Sequence, residues 1–348
     1  MANTEHSQST PRQEKRTSIG GQALIEGILM RGPYKQAIAV RARPGDESVK
    51  TALEQNPDAT VLPRDNGDVI ILTTEELHFI KDRHPVLGWP LVRGVVNFGG
   101  SMVAGVKALM YSASFYPEEE GGTQGQEPGK FEQWLEKHIG SEKLEELVIY
   151  LAVLMGAAFS VLLFMMLPTF LVGLIRPIHN IIWLRNLLEG IVKLVIFTGY
   201  MILCSRMKDM KRVFSFHGAE HKSIKCYELG LPLTVENVRP CTRKHPRCGT
   251  SFLFVVIFIS ILCGSVIQVS NTLLRILCHL ALLLPIVAIS YEFNRLVGRH
   301  DNRLTRALSA PGMWFQNFTT NEPDDAMIEC AIAALEAVIP EQEGADNW

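Results

Sequence analysis

The chain has 348 residues, enough for one large domain or two modest ones. Its 34 basic and 36 acidic side chains leave a formal charge of −2, so no overall basic field suggests nucleic acid as a partner. Hydrophobic residues make up 47% and mean hydropathy is +0.13, with the excess gathered in blocks, which points to a lipid bilayer. The seven cysteines lack the regular spacing of a secreted disulfide framework and read as reduced thiols.

In chain order, residues 1–17 are polar and carry no apolar run, which predicts a disordered tail rather than a signal peptide. Residues 18–80 predict a small β-rich cytosolic unit. Three strand-like runs, "GGQALIEGILMRGP", "YKQAIAVRARPGD" and "DVIILTTEE", are separated by Gly, Pro and Asp, with the polar stretch 47–67 as a loop or insertion. Residues 90–113 predict an amphipathic or interfacial helix, apolar but interrupted by Arg93, Asn97 and Lys107. Small residues at helical spacing (Gly100, Ala104, Ala108) suit close packing. Residues 114–146 read as an acidic linker.

Four apolar blocks follow, at 147–175, 187–204, 252–270 and 273–291, the last two separated by a turn at Asn271. The fold class expected is therefore a mainly α-helical multi-pass membrane protein with about four spans and a β-rich N-terminal unit. "RMKDMKRV" after the second block and "NRLVGRHDNRLTR" after the fourth place 205–251 and both termini in the cytosol. Glu189 and Lys193, one turn apart near the start of the second block, form a self-neutralising pair by default. The tail, 292–348, contains "TTNEPDDAMIECAIAALEAVI", which predicts an amphipathic helix starting at Pro323.

The chemistry concentrates in 205–251. "FHGAEHKSIKCYE" sets His217 and His221 four apart with Glu220 between, the order H-x-x-E-H. On a helix both imidazoles share one face. In enzymes with this order the histidines hold zinc, and the glutamate is the general base that takes a proton from water on the metal. The alternative is a pair of polar residues at a membrane boundary. Further on, "CTRKHPRCGTSF" offers His245 and Cys248, either completing that coordination or forming a site of their own, while Cys248 can also be a packed thiol. Thr250 or Ser251 would cap the third span. Glu292, after the fourth block, is a distant candidate ligand, with pairing to Arg295 as the plainer role.

The stretches "GGQALIEGILMRGP", "FHGAEHKSIKCYE" with "HPRCGTSF", and "TTNEPDDAMIECAIAAL" resemble the YqhQ-like family of bacterial membrane proteins, over roughly residues 18–338. That family carries a domain of unknown function and has been labelled a predicted metal-dependent enzyme. The resemblance implies a multi-pass protein of the bacterial inner membrane, and carries over His217, Glu220, His221, His245 and Cys248, with Glu26 from the N-terminal motif. Cys226 and Cys241 lie outside the pattern.

Two readings follow. In the first the chain is a metal-dependent hydrolase with zinc on His217 and His221, completed by His245, Cys248 or Glu292, and Glu220 as base. Its substrate would be a peptide or lipid presented at the cytosolic face. In the second it is a non-enzymatic scaffold or assembly factor, with a structural metal or none, that binds cytosolic protein partners. A weaker third is a transporter using Glu189, Lys193 and His279, against which the lack of visible repeats counts.

Overall fold

The computed structural model describes residues 15–43, 49–50, 53–54, 56–64, 67–77, 84–115, 151, 154–175, 181–265, 269, 272–300 and 302–347. Most of the predicted tail, most of the acidic linker, the start of the first apolar block and the turn at Asn271 lie outside them.

The β-rich unit is a five-stranded sheet in the order β1-β2-β3-β5-β4, antiparallel throughout. The strands are β1 (Gly20–Leu24), β2 (Gly27–Arg31), β3 (Lys35–Ala42), β4 (Thr60–Pro63) and β5 (Val69–Glu76). "GGQALIEGILMRGP" is thus a hairpin rather than one strand, turning at Ile25 and Glu26, where Glu26 takes a φ of 50°. The polar stretch 47–67 supplies β4, an edge strand, the place where Pro63 costs no ladder hydrogen bond.

Alternation along the strands loads both faces of this sheet. Ile28 and Met30 of β2, Ala37 and Ala39 of β3 and Ile70 of β5 join one buried cluster, while Val40 and Ile71 join another on the opposite face. The second face is covered by α1 (Val92–Ala113), whose Ala108 packs with Leu24 and Leu29 and whose Tyr111 hydroxyl meets Thr73 Oγ1 at 2.7 Å. The residues that α1 buries are Gly94, Gly105, Ala108 and Ser112, small enough for close approach, whereas Gly100 is exposed.

Two helices cover the first face: α4 (Lys208–Glu228) and α10 (Asp325–Glu336). The latter is the predicted tail helix, and it is core. Ile328, Cys330, Ala331, Ala334 and Leu335 are all fully buried against the sheet and α4. Its cap is Asp324, which accepts from the Met327 amide at 2.8 Å, so Pro323 precedes the helix instead of starting it. Glu26 pins the sheet to α4, pairing with Arg41 of β3 at 2.6 Å and with Nε and Nη2 of Arg212.

Residues 15–17, placed in the expected disordered tail, are ordered. Thr17 is buried and gives its hydroxyl to Asp346 at 2.6 Å, so residues 15–17 are laced to the C-terminal end of the chain. The predicted loop 205–251 is mostly helix, holding α4 and a single turn, α5 (Val235–Val238).

The chain divides into two compact units. One comprises residues 1–116, 202–255 and 287–348 and contains the sheet, α1, α4 and α10. The other comprises residues 117–201 and 256–286, and its described residues lie mostly in apolar helices. Among the described residues two helices are long and apolar enough to cross a membrane: α2 (Leu154–Gly173) and a stretch within α3 (Ile182–Cys204). The expected count of about four spans is not confirmed among the described residues. There the third block contributes α6 (Gly249–Ser265) and the fourth is divided at Leu282 between α7 (Thr272–Ala281) and α8 (Leu283–Arg299). The last long helix before α10 is α9 (Arg303–Thr319).

Candidate metal centre

The candidate site is built on α4. The break at Ser205–Met207 separates this helix from α3, and Asp209 in its first turn suits the positive end of the helix dipole. Helical spacing then puts His217 and His221 on one face, their ring centroids 4.4 Å apart. Gly218 between them is a poor helix former, but a β-carbon there would run into the Asn321 carbonyl. The gap lets the segment 319–322 lie directly on α4, with the Asn321 amide donating to Phe214 O at 2.8 Å.

That close approach orients the first histidine. His217 Nδ1 lies 2.7 Å from Thr319 O, and a carbonyl only accepts, so Nδ1 carries the proton. His221 Nδ1 is held likewise, 2.6 Å from Arg243 O. Both rings therefore turn Nε2 inward. His217 Nε2 meets Cys248 Sγ at 3.1 Å, and His221 Nε2 is buried with no hydrogen-bond partner. One ligand atom from each of His217, His221 and Cys248 lies within 4.8 Å of the others. Carbonyl-held Nδ1 with a free Nε2 is how metal-binding imidazoles are commonly arranged.

Cys248 sits just before α6, where its sulfur also receives the Thr250 hydroxyl at 3.3 Å. Burial would raise its pKa, but His217 and His221 beside it outweigh that and hold the thiol well below its ordinary value. Burial would likewise lower the His217 pKa, but the Cys248 thiolate and then Glu220 raise it to about 9. The two shifts share one physical cause, the attraction between an imidazolium and a thiolate held 3.1 Å apart.

Glu220 comes from the same helix. Its Oε1 accepts from the Gly21 amide at 3.0 Å, while Oε2 is buried without a partner. Burial raises the carboxyl pKa, and the two histidines only partly oppose it. Gly21 is a glycine for room: a β-carbon there would lie 2.5 Å from Leu29 O and 3.1 Å from Glu220 Cδ.

The structure does not bring the remaining candidates into this cluster. His245 lies beside it, ring centroid 5.7 Å from His221, but its Nε2 faces Glu228 at 3.5 Å. Burial lowers the His245 pKa more than Glu228 raises it, so the ring is neutral, and Glu228 also binds Arg247. Glu292 is a bidentate partner of Arg93 at 2.5 and 2.7 Å, a pairing with α1 rather than with Arg295. Glu26 is the ion-pair clamp described above. Cys241 Sγ points to Asn237 O at 3.3 Å.

Sequence reading missed the groups that aim the ligands: the Thr319 and Arg243 carbonyls and the Gly21 amide. "TTNEP" was visible as a stretch, but only as a helix start. In the fold Glu322 of that stretch binds Lys222 at 2.7 Å and Arg243 at 3.4 Å, locking it across α4.

These elements define a mainly helical protein with an N-terminal antiparallel sheet and a largely buried His–His–Cys cluster where three separated segments meet. The family described as "Protein of unknown function (DUF1385)" matches residues 89–341, and the chain belongs to that family. It is 31% identical over 323 residues to a Bacillus subtilis (strain 168) protein named "Uncharacterized protein YqhQ", covering 92% of each chain. No solved structure matches it.

Proposed function

We propose that this protein is a metal-dependent enzyme of the bacterial inner membrane, a hydrolase in which His217, His221 and Cys248 hold a zinc ion and Glu220 is the general base. The observation that carries this reading is the His217–His221–Cys248 cluster, in which His221 Nε2 is buried without a hydrogen-bond partner, with Glu220 Oε2 on the same helix likewise buried and unpartnered. Two imidazoles and one thiolate form a donor set typical of zinc with a position left open. When bound, zinc supplies positive charge that makes a neighbouring water acidic near neutral pH. Glu220, a carboxylate on the same helix face, then accepts the proton at Oε2, and the Gly21 amide keeps Oε1 fixed while it does so. A peptide or lipid presented at the cytosolic face is the substrate class, and the chain is multi-pass with both termini cytosolic. The apolar helices α2 and α3 support the membrane part of this reading.

A scaffold with a structural metal is the second reading, favoured by burial: His221 is 1% exposed, Glu220 5% and Cys248 8%. The two part at Glu220. Metal analysis of detergent-purified protein should find one zinc per chain, lost in His217→Ala, His221→Ala and Cys248→Ser. Zinc-free wild type, purified without chelator, would sink both metal readings. Glu220→Gln should keep the metal and lower hydrolysis by about 10²–10⁴-fold, the usual contribution of a general base. Unchanged function in that variant leaves the scaffold.

A further inference from the structure

The unit made of apolar helices holds a charged cluster that the metal chemistry does not use. Sequence alone pairs Glu189 with Lys193 across one turn of α3, but the fold gives the carboxylate other partners. Arg185, one turn earlier, donates from Nε to Glu189 Oε1 at 3.3 Å, and the Thr169 hydroxyl of α2 lies 3.5 Å from Oε2. Glu189 still attracts Lys193, but from beyond ion-pair distance. The Lys193 ammonium instead donates to Ser260 Oγ of α6 at 3.4 Å, its one hydrogen bond among the described residues. An ammonium has three N–H donors, so two of them find no acceptor there. With Arg185 and Glu189 cancelling, the cluster carries one positive charge in excess.

Thr169, Asn186, Glu189, Lys193 and Ser260 line one cavity of about 30 Å³ between α2, α3 and α6. Such a space admits a water molecule or a monatomic ion. Its walls are fixed by packing. Gly190 lies so close to α6 that a β-carbon there would stand 2.5 Å from the Ile261 side chain, and Asn186 Nδ2 donates to Gly264 O at 3.1 Å. The α2 wall is irregular. Leu162–Met166 wind as a π-helical turn just before Pro168, and Thr169 gives its hydroxyl to Met165 O at 3.1 Å. Such turns inside helices recur at functional sites, and in apolar surroundings irregular backbone is tolerated where it lines a cavity.

We propose that this cavity binds a small monovalent anion of chloride size, held by the Lys193 ammonium and the Ser260 hydroxyl. Charge sets the sign of the ligand. A desolvated charge without a counter-charge is costly, and an anion here cancels the excess, whereas a cation would add to Arg185 and Lys193. Glu189 opposes the anion, but Arg185 offsets it. Volume sets the size, since a monatomic ion fits and a phosphate with four oxygens does not. A water molecule would accept from the same donors but leave the charge unbalanced. The site is independent of the metal reading, because none of its residues belongs to the His–His–Cys cluster.

The test is thermal unfolding of the full-length protein in detergent, in sodium chloride and in sodium gluconate at equal concentration. Chloride should raise the wild-type midpoint by about 1–3 °C and saturate as one site does. The rise should vanish in Lys193→Met and shrink in Ser260→Ala. It should grow in Glu189→Gln, which removes the opposing carboxylate. Equal wild-type midpoints in the two salts overturn the site and leave the cavity to water. A rise that persists in Lys193→Met overturns it too, because the chloride then acts elsewhere. If Lys193→Met does not fold, Ser260→Ala decides, and an undiminished rise in that variant overturns the assignment.

Discussion

The Gly21 amide donates to Glu220 Oε1 at 3.0 Å across 199 residues of sequence. This bond joins the first strand of the sheet to the helix that bears both histidines, and it leaves the second carboxylate oxygen without a partner. The N-terminal glycine-rich stretch therefore belongs to the candidate site as much as the histidine motif does.

Gly21→Ala should destabilise the protein by about 1–3 kcal/mol, the usual cost of overpacking. The clash is with the Leu29 carbonyl and Glu220 Cδ, and backbone cannot swing aside as a flexible side chain can. Gly20→Ala is the control, since nothing lies within 4 Å of a β-carbon there. Thermal unfolding of the two variants side by side measures the difference, and equal midpoints would contradict the close approach.

His245→Ala and Glu292→Ala should retain stoichiometric metal, because His245 is committed to Glu228 and Glu292 to Arg93. Glu292→Ala should instead loosen α1 from α8, read as faster amide exchange around Arg93. Loss of zinc in either variant would return that residue to the ligand set.

Gly218→Ala should weaken metal binding by about 10–100-fold, as expected when a group that orients a ligand is displaced. The added methyl pushes Asn321 away from α4 and carries the Thr319 carbonyl off His217 Nδ1. A competitive zinc titration reads the effect. An unchanged affinity would mean that the carbonyl does not aim the imidazole.

Glu26→Gln should cost about 2 kcal/mol at neutral pH, in the range for a hydrogen-bonded charged group. It should also flatten the acid limb of the stability curve. Burial raises the Glu26 pKa, but Arg212 and then Arg41 outweigh it, leaving it below the ordinary 4.5. A depressed carboxylate stabilises the fold above its unfolded pKa and loses that contribution as pH falls through the folded one. Denaturation midpoints measured downward from pH 5 should therefore converge for wild type and variant.

Much of this architecture can be read locally. Alternation in "AIAV" and "VIIL" gives two-faced strands, and those residues do load both faces of the sheet. The four-residue step from His217 to His221 defines a shared face once the segment is helical. The reading fails where a residue's role depends on what arrives from elsewhere. The tail helix has an apolar stripe like any surface helix, and only the sheet's exposed side turns Ile328 and Leu335 into core. His245 and Cys248 are three apart and equivalent as zinc ligands on paper. Glu228, at the end of α4, takes the first and leaves the second to the cluster.

The sequence by itself determined the paired histidines with a glutamate beside them, the strand pattern and the apolar blocks. Each of these follows from backbone periodicity, a property of neighbouring residues. The tertiary structure alone decided which sulfur joins the imidazoles, which nitrogen of each ring faces inward and which carboxylate oxygen is left without a partner. Those outcomes depend on carbonyls and amides, which every residue carries and no side chain announces, and on contacts such as His217 to Thr319, 102 residues apart. Only packing can bring such groups within hydrogen-bonding distance.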